Sequence, residues 1–131
     1  MGKNFDEFIH LGNWSQEKLD FLLKKLGRLS QSKKIALLCK QFLNTPYKKS
    51  TLIGSKKVPE VFVINLKYMD CFTFIDYIES LRRSMSFLDF KENLRIVRYK
   101  KGKVNFKNRN HFFSDWPVYN KDKIKDITEE I

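Results

Sequence analysis

Apolar positions recur at helical spacing in four stretches of the chain. Leu19, Leu22, Leu23 and Leu26 fall at i, i+3, i+4 and i+7, which predicts a helix over about residues 15–26. Ser15 with Lys18 supplies half of a capping box, because a Glu or Gln is wanted three residues on, and Gly27 is a natural stop. Ile35, Leu38, Cys39, Phe42 and Leu43 predict a second helix with Cys39 in its apolar stripe. The stretch "NTPYKKSTLIGSKKVPE", residues 44–60, breaks the periodicity with Pro46, Gly54 and Pro59 and reads as a long exposed loop. "VFVIN", residues 61–65, is β-branched and aromatic, hence a strand. Phe74, Ile75, Ile78 and Leu81 form the stripe of a third helix, which Asp70 can cap and which Cys71 opens. Phe87, Phe90, Leu94 and Val97 suggest a fourth. "RYKKGKVNF", residues 98–106, reads as a Gly-centred turn between two short extended pieces, and "RNHFFSDWPVYN", residues 109–120, as aromatic-rich and irregular. The first residues read as a frayed terminus, and His10 is given no role.

Composition narrows the classes. A chain of 131 residues is enough for one domain with a modest core. With 42% hydrophobic residues and 12 Phe, it is expected to fold. The net charge of +11 favours a polyanionic partner, whether nucleic acid, anionic lipid or a cell-wall polymer. No apolar run approaches the ~18 residues of a membrane span. "MGKNFDEFIH" lacks the apolar core of a signal peptide, so the chain as written is expected to be cytoplasmic. The two cysteines, Cys39 and Cys71, do not suggest a disulfide framework. No CxxC or HxxxH spacing occurs, so neither a metal nor a cofactor is expected.

The candidate chemistry lies at Cys71. The first turn of a helix presents unpaired N–H groups and the positive end of the macrodipole. A thiolate placed there is stabilised, and the same N–H groups can hold the oxyanion that forms when it attacks a carbonyl. Cys71 also shares a face with Phe74, Ile75 and Ile78, so a plain packing role fits the spacing equally. A cysteine nucleophile needs a base. His111, the one credible histidine downstream, has polar neighbours in Asn110, Ser114 and Asp115, and reads as the general base, as a site-lining residue or as a structural hydrogen-bonder. The pairs Lys48–Lys49, Lys56–Lys57 and Lys100–Lys101 read as solvated surface. Interleaved with Tyr47, Tyr99, Phe106, Phe112 and Trp116 they could also stack bases. No RNP, helix-turn-helix or finger spacing supports nucleic acid.

Four segments in order, "FLNTPYKKSTL", "VINLKYMDCFTFID", "RYKKGKVNFKNRNHFFSDW" and "DIT", resemble the motifs of the N-acetylmuramoyl-L-alanine amidase-like family, also known as domain of unknown function 1460. That family belongs to the NlpC-type branch of papain-like cysteine hydrolases. The resemblance covers residues 42–128. It implies an α+β papain-like fold, of which residues 1–131 would form a single domain, the helix-rich N-terminal portion, with later sheet strands missing. It implies a bacterial cell-wall amidase that cleaves the bond between N-acetylmuramic acid and L-alanine, with peptidoglycan or a muropeptide as partner. Cys71 would be the catalytic nucleophile and Asp70 its helix cap; Tyr47, His111, Ser114, Asp115 and Trp116 would meet substrate. Family members act outside the cytoplasm, in the periplasm or cell envelope.

The sequence departs from the family pattern in three places. Asn44 replaces a Gly before T-P-Y, and Ser50 replaces a Gly three residues after the Tyr. The superfamily's general-base His, on a later strand, has no counterpart before Ile131. The chain is therefore expected to be inactive or incomplete by itself, and the apolar stripe of the Cys71 helix to want a sheet encoded further on. The rival reading is a non-catalytic basic module that binds cell wall or nucleic acid.

Overall fold

The computed structural model describes residues 5–111 and residue 120. Strand β1 (Asp6–His10) is followed by α1 (Gln16–Leu26), α2 (Gln31–Phe42), β2 (Val61–Asn65), α3 (Cys71–Arg82) and α4 (Phe87–Arg98). Two short 3-10 turns, Lys100–Gly102 and Phe106–Asn108, come after α4. The result is α+β and helix-rich.

Each long helix starts at a residue whose side chain satisfies a donor of the first turn. Ser15 accepts from Lys18 N, Ser30 from Lys33 N, and Ser86 from Asp89 N. Ser15 is thus the half box that the sequence suggests. Gly27 closes α1 with ordinary right-handed dihedrals, so the helix stops there without using the glycine's left-handed freedom.

The sheet differs from the expectation of one strand. β1 pairs with β2 in parallel, from Asp6 opposite Val61 to His10 opposite Asn65. Phe62, Val63 and Ile64 of β2 are all buried, as expected for a parallel strand covered on both faces. β1 is mostly exposed and carries Asp6, Glu7 and His10. Its pattern contains no strand signal of its own; hydrogen bonding to β2 makes it a strand. His10 is therefore an ordered strand residue, and its Nδ1 accepts from Gly12 N.

α3 lies in the centre and packs on α2 and α4. Ile78 and Leu81 are buried in the same core as Leu38, Phe42, Phe90 and Leu94. Neighbouring helices thus cover the lower half of the predicted stripe. Phe74 is only partly buried and Ile75 is 38% exposed, while Tyr77 and Ser80 point fully inward. Cys39 is also partly buried against this core. α1 is tied to α4 by Asp20, whose Oδ1 accepts from Phe87 N at 2.6 Å.

Among the described residues the core contains one cation, which apolar patterning does not announce. Arg98, the last residue of α4, is 1% exposed. Its Nε lies 3.2 Å from Oδ2 of Asp76 on α3, and its Nη1 donates to Val63 O on β2. The rings of Phe62 and Tyr77 lie 6.0 and 5.4 Å from the guanidinium carbon, within the range of cation–π attraction. Arg98 therefore ties three elements together at one point. The segment after it turns at Lys101 and Gly102, both with positive φ (57° and 66°), between extended Tyr99, which bridges Arg109, and extended Lys103.

Candidate active site

Asp70 and Thr73 close a full capping box at the start of α3. Asp70 Oδ1 accepts from Thr73 N at 2.8 Å, and Thr73 Oγ1 accepts from Asp70 N at 3.0 Å. A Thr replaces the Glu or Gln usual in this arrangement. The box fixes the direction of the first turn, and Cys71 is its first helical residue. Cys71 is exposed and free. Here the packing alternative fails: the thiol faces outward while Thr73, Tyr77 and Leu81 fill the interior.

Tyr47 is brought to the same place by backbone pairing. It bridges Met69 in parallel, with Met69 N donating to Pro46 O at 3.1 Å and Lys48 N donating to Met69 O at 3.2 Å. The "TPY" segment thus lies beside the residues that lead into Cys71. The Tyr47 side chain is 69% exposed, presented to solvent.

A cleft of about 410 Å³ adjoins the start of α3 on its capped side. Asp70, Phe72, Thr73 and Asp76 of the helix line it, together with Arg98, His111 and the loop from Lys49. Cys71 is not among its lining residues. His111 therefore stands across the cleft from Asp70. Its Nε2 lies 2.7 Å from Phe106 O, which can only accept, so Nε2 donates this bond. Its ring packs on Phe106 at 4.5 Å. Ser114, Asp115 and Trp116 lie outside the described residues.

The loop from Lys49 to Gly54 forms one wall. Ser50, where the family pattern has Gly, adopts φ of 63°. That is the left-handed region, where a side chain is strained and glycine is not. Gly54 has φ of 145°, and a Cβ there would stand 1.9 Å from Glu60 Oε1. Glu60 in turn accepts from Tyr99 Oη at 2.7 Å and from Arg109 Nη1 at 3.1 Å. Burial pushes the Tyr99 phenol up; Arg98 opposes this, and the bond to Glu60 adds to the rise. Burial alone would lower the Arg98 pKa, but Tyr77, Asp76 and Tyr99 outweigh it and hold the guanidinium charged.

Sequence reasoning missed Arg98, Asp76, Asn110 and Thr51 as cleft residues. The first two could be suspected only as a charged pair at apolar-stripe positions, and nothing in the sequence says which charges meet.

Comparison with known proteins identifies the family. The model of the N-acetylmuramoyl-L-alanine amidase-like family matches residues 37–131. A solved structure from Legionella pneumophila str. Philadelphia 1, described as family-model DUF1460, is 30% identical with a TM-score of 0.74. The alignment covers 86% of this chain and 40% of that one. An N-acetylmuramoyl-L-alanine amidase from Bacteroides uniformis ATCC 8492 is 28% identical with a TM-score of 0.64, over 70% of this chain and 40% of that one. A Bacteroides fragilis protein whose name suggests a xylanase is 31% identical with a TM-score of 0.58, over 70% and 43%. The chain thus spans less than half the length of these structures. No curated protein matches the sequence.

Proposed function

The chain belongs to the N-acetylmuramoyl-L-alanine amidase-like family, and from that premise we propose that it carries the nucleophile-bearing part of a cell-wall amidase site, acting in the cell envelope. The observation that carries this reading is Cys71: free, exposed, and held at the first position of a helix by the Asp70–Thr73 box. In the proposed reaction the Cys71 thiolate attacks the lactoyl carbonyl of N-acetylmuramic acid. The C–N bond to L-alanine breaks, and the amine takes a proton as it leaves. Water then cleaves the thioester, which returns the thiol and releases the carboxylic acid. The net change is amide plus water to acid plus amine, with no metal or cofactor in the scheme.

The capping bonds bear on how charge is met. Thr73 N donates to Asp70 Oδ1 and Phe74 N to Asp70 O. The amide of Cys71 lies outside those bonds and next to the thiol, so it is the donor best placed for the oxyanion. Tyr47, exposed on the adjoining segment, and His111, across the cleft, are the residues proposed to meet substrate. Of the sequence candidates, Ser114, Asp115 and Trp116 belong to this proposal through the family motif alone. The net charge of +11 suits an anionic wall polymer.

The test is covalent capture. Incubate the protein with muropeptides, quench in acid, and look by intact mass for a muramoyl thioester on Cys71. A Cys71-dependent adduct, with release of peptides that begin with L-alanine, is the expected result. Release that persists in Cys71→Ser would sink the proposal.

A further inference from the structure

Three buried polar atoms on residues that line the cleft lack a hydrogen-bond partner among the described residues, and a fourth, Glu60 Oε1, lies behind Gly54. Arg98 commits Nε to Asp76 and Nη1 to Val63 O, and its Nη2 has no partner among the described residues. Asn110 receives its orientation from two bonds. Its backbone N donates to Arg98 O at 2.9 Å and its Nδ2 to Val97 O at 3.1 Å. Since the Nδ2 end faces a carbonyl, the other end must be the oxygen, and Oδ1 is the atom without a partner. The third is Thr51 Oγ1. Arg98 and Asn110 are 1% and 4% exposed, and all three residues line the cleft. Buried donors and acceptors are nearly always satisfied, because leaving them unmet forfeits their hydration. Three at one cleft, two of them on side chains fixed by other bonds, mark it as a candidate site for a polar ligand.

The pattern selects the ligand. Nη2 can only donate, Oδ1 can only accept, and a hydroxyl can do either. A carboxylate would answer Arg98 but set a bare acceptor against Asn110 Oδ1. An ammonium would answer Asn110 but be repelled by the guanidinium. A secondary amide carries one acceptor and one donor on a rigid plane and meets both. We infer that this cleft is a cradle for a secondary amide, its carbonyl received by Arg98 Nη2 with Thr51 Oγ1, and its N–H by Asn110 Oδ1. Cys71 does not line the cleft, so the amide held there is a neighbour of the bond that is cut. Which amide it is rests on the function proposed above: an N-acetyl group or a peptide link of the same muropeptide would serve.

The experiment is an NMR titration of the isotopically labelled Cys71→Ser chain with three small probes. N-methylacetamide should give saturable shifts at the Asn110 side-chain amide and Arg98 Nε–H. Methyl acetate, which lacks the N–H, should bind about ten-fold more weakly, as the loss of one net hydrogen bond implies. Acetate should give no saturable shift at these groups. Thr51→Val, nearly isosteric at a partly buried position, should weaken the amide about five-fold and leave the rest of the spectrum in place. The inference is overturned if N-methylacetamide fails to bind, as it would if water alone fills the cleft. Equal binding of methyl acetate, or tighter binding of acetate, would overturn it too. The probes are not muropeptides and the readout is binding, so this outcome is independent of the thioester test: either result can fail while the other stands.

Discussion

Arg98 and Asp76 meet inside the core, each with a side chain 1% exposed and with Nε 3.2 Å from Oδ2. The pair joins the end of α4 to the middle of α3, five residues beyond Cys71. A buried pair of this kind is weak evidence for stability as a whole, but breaking it leaves a bare charge in a low-dielectric interior. Asp76→Ala should therefore lower the urea unfolding free energy by about 3–5 kcal/mol. The double replacement Asp76→Leu with Arg98→Met should recover part of that loss. A single variant within about 0.5 kcal/mol of the parent would mean that water or another group already shares the charge.

Ser50 should be a point of stored strain. Its φ of 63° costs a side chain roughly 1–2 kcal/mol, while glycine loses roughly 0.4–1 kcal/mol through its freer unfolded chain. Ser50→Gly should stabilise the protein by about 0.5–1 kcal/mol, read as a higher denaturant midpoint at constant slope. Ser50→Ala should be neutral or slightly destabilising. A loss of stability in Ser50→Gly would show that the serine makes an interaction that offsets its conformation.

Cys71 should react with iodoacetamide faster than Cys39. One is exposed at the opening of a capped helix, and the other is partly buried in the stripe of α2. Mass spectrometry of peptides after timed labelling of the folded protein gives both rates in one experiment. Asp70→Ala should cost about 1 kcal/mol of stability by removing the cap, and Asp70→Asn much less. Equal rates at the two cysteines would remove the physical basis for treating Cys71 as the nucleophile.

Tyr99 should set part of the alkaline limit. Its phenol titrates above the ordinary tyrosine value of 10.0, so the folded state holds the proton more tightly than the unfolded chain. The stability this contributes is complete below pH 10.0 and falls as pH rises from there toward the folded value. Tyr99→Phe should lose the bond to Glu60 and be less stable at neutral pH, yet decline less steeply above pH 10. Parallel curves for parent and variant would contradict this.

The four long helices, the strand at residues 61–65, the Asp70 cap and the position of Cys71 at a helix start were all legible in the sequence. These depend on spacing and local capping chemistry, which act over a few residues. The ordered family motifs then implied for Cys71 the role of nucleophile, which spacing alone left undecided between chemistry and packing. Tertiary structure decided the rest. "DEFIH" became strand β1 because β2, 55 residues further along the chain, offered it hydrogen bonds, a partner that no local pattern reveals. It turned Phe74 and Ile75 partly outward and Tyr77 and Ser80 inward, because α2 and α4 approach α3 from a direction the stripe does not encode. It also buried Arg98 against Asp76, and left Nη2 of that arginine facing a cleft with Asn110 and Thr51. A charge's sign is written in the sequence; its burial and its partner depend on where distant elements meet in space.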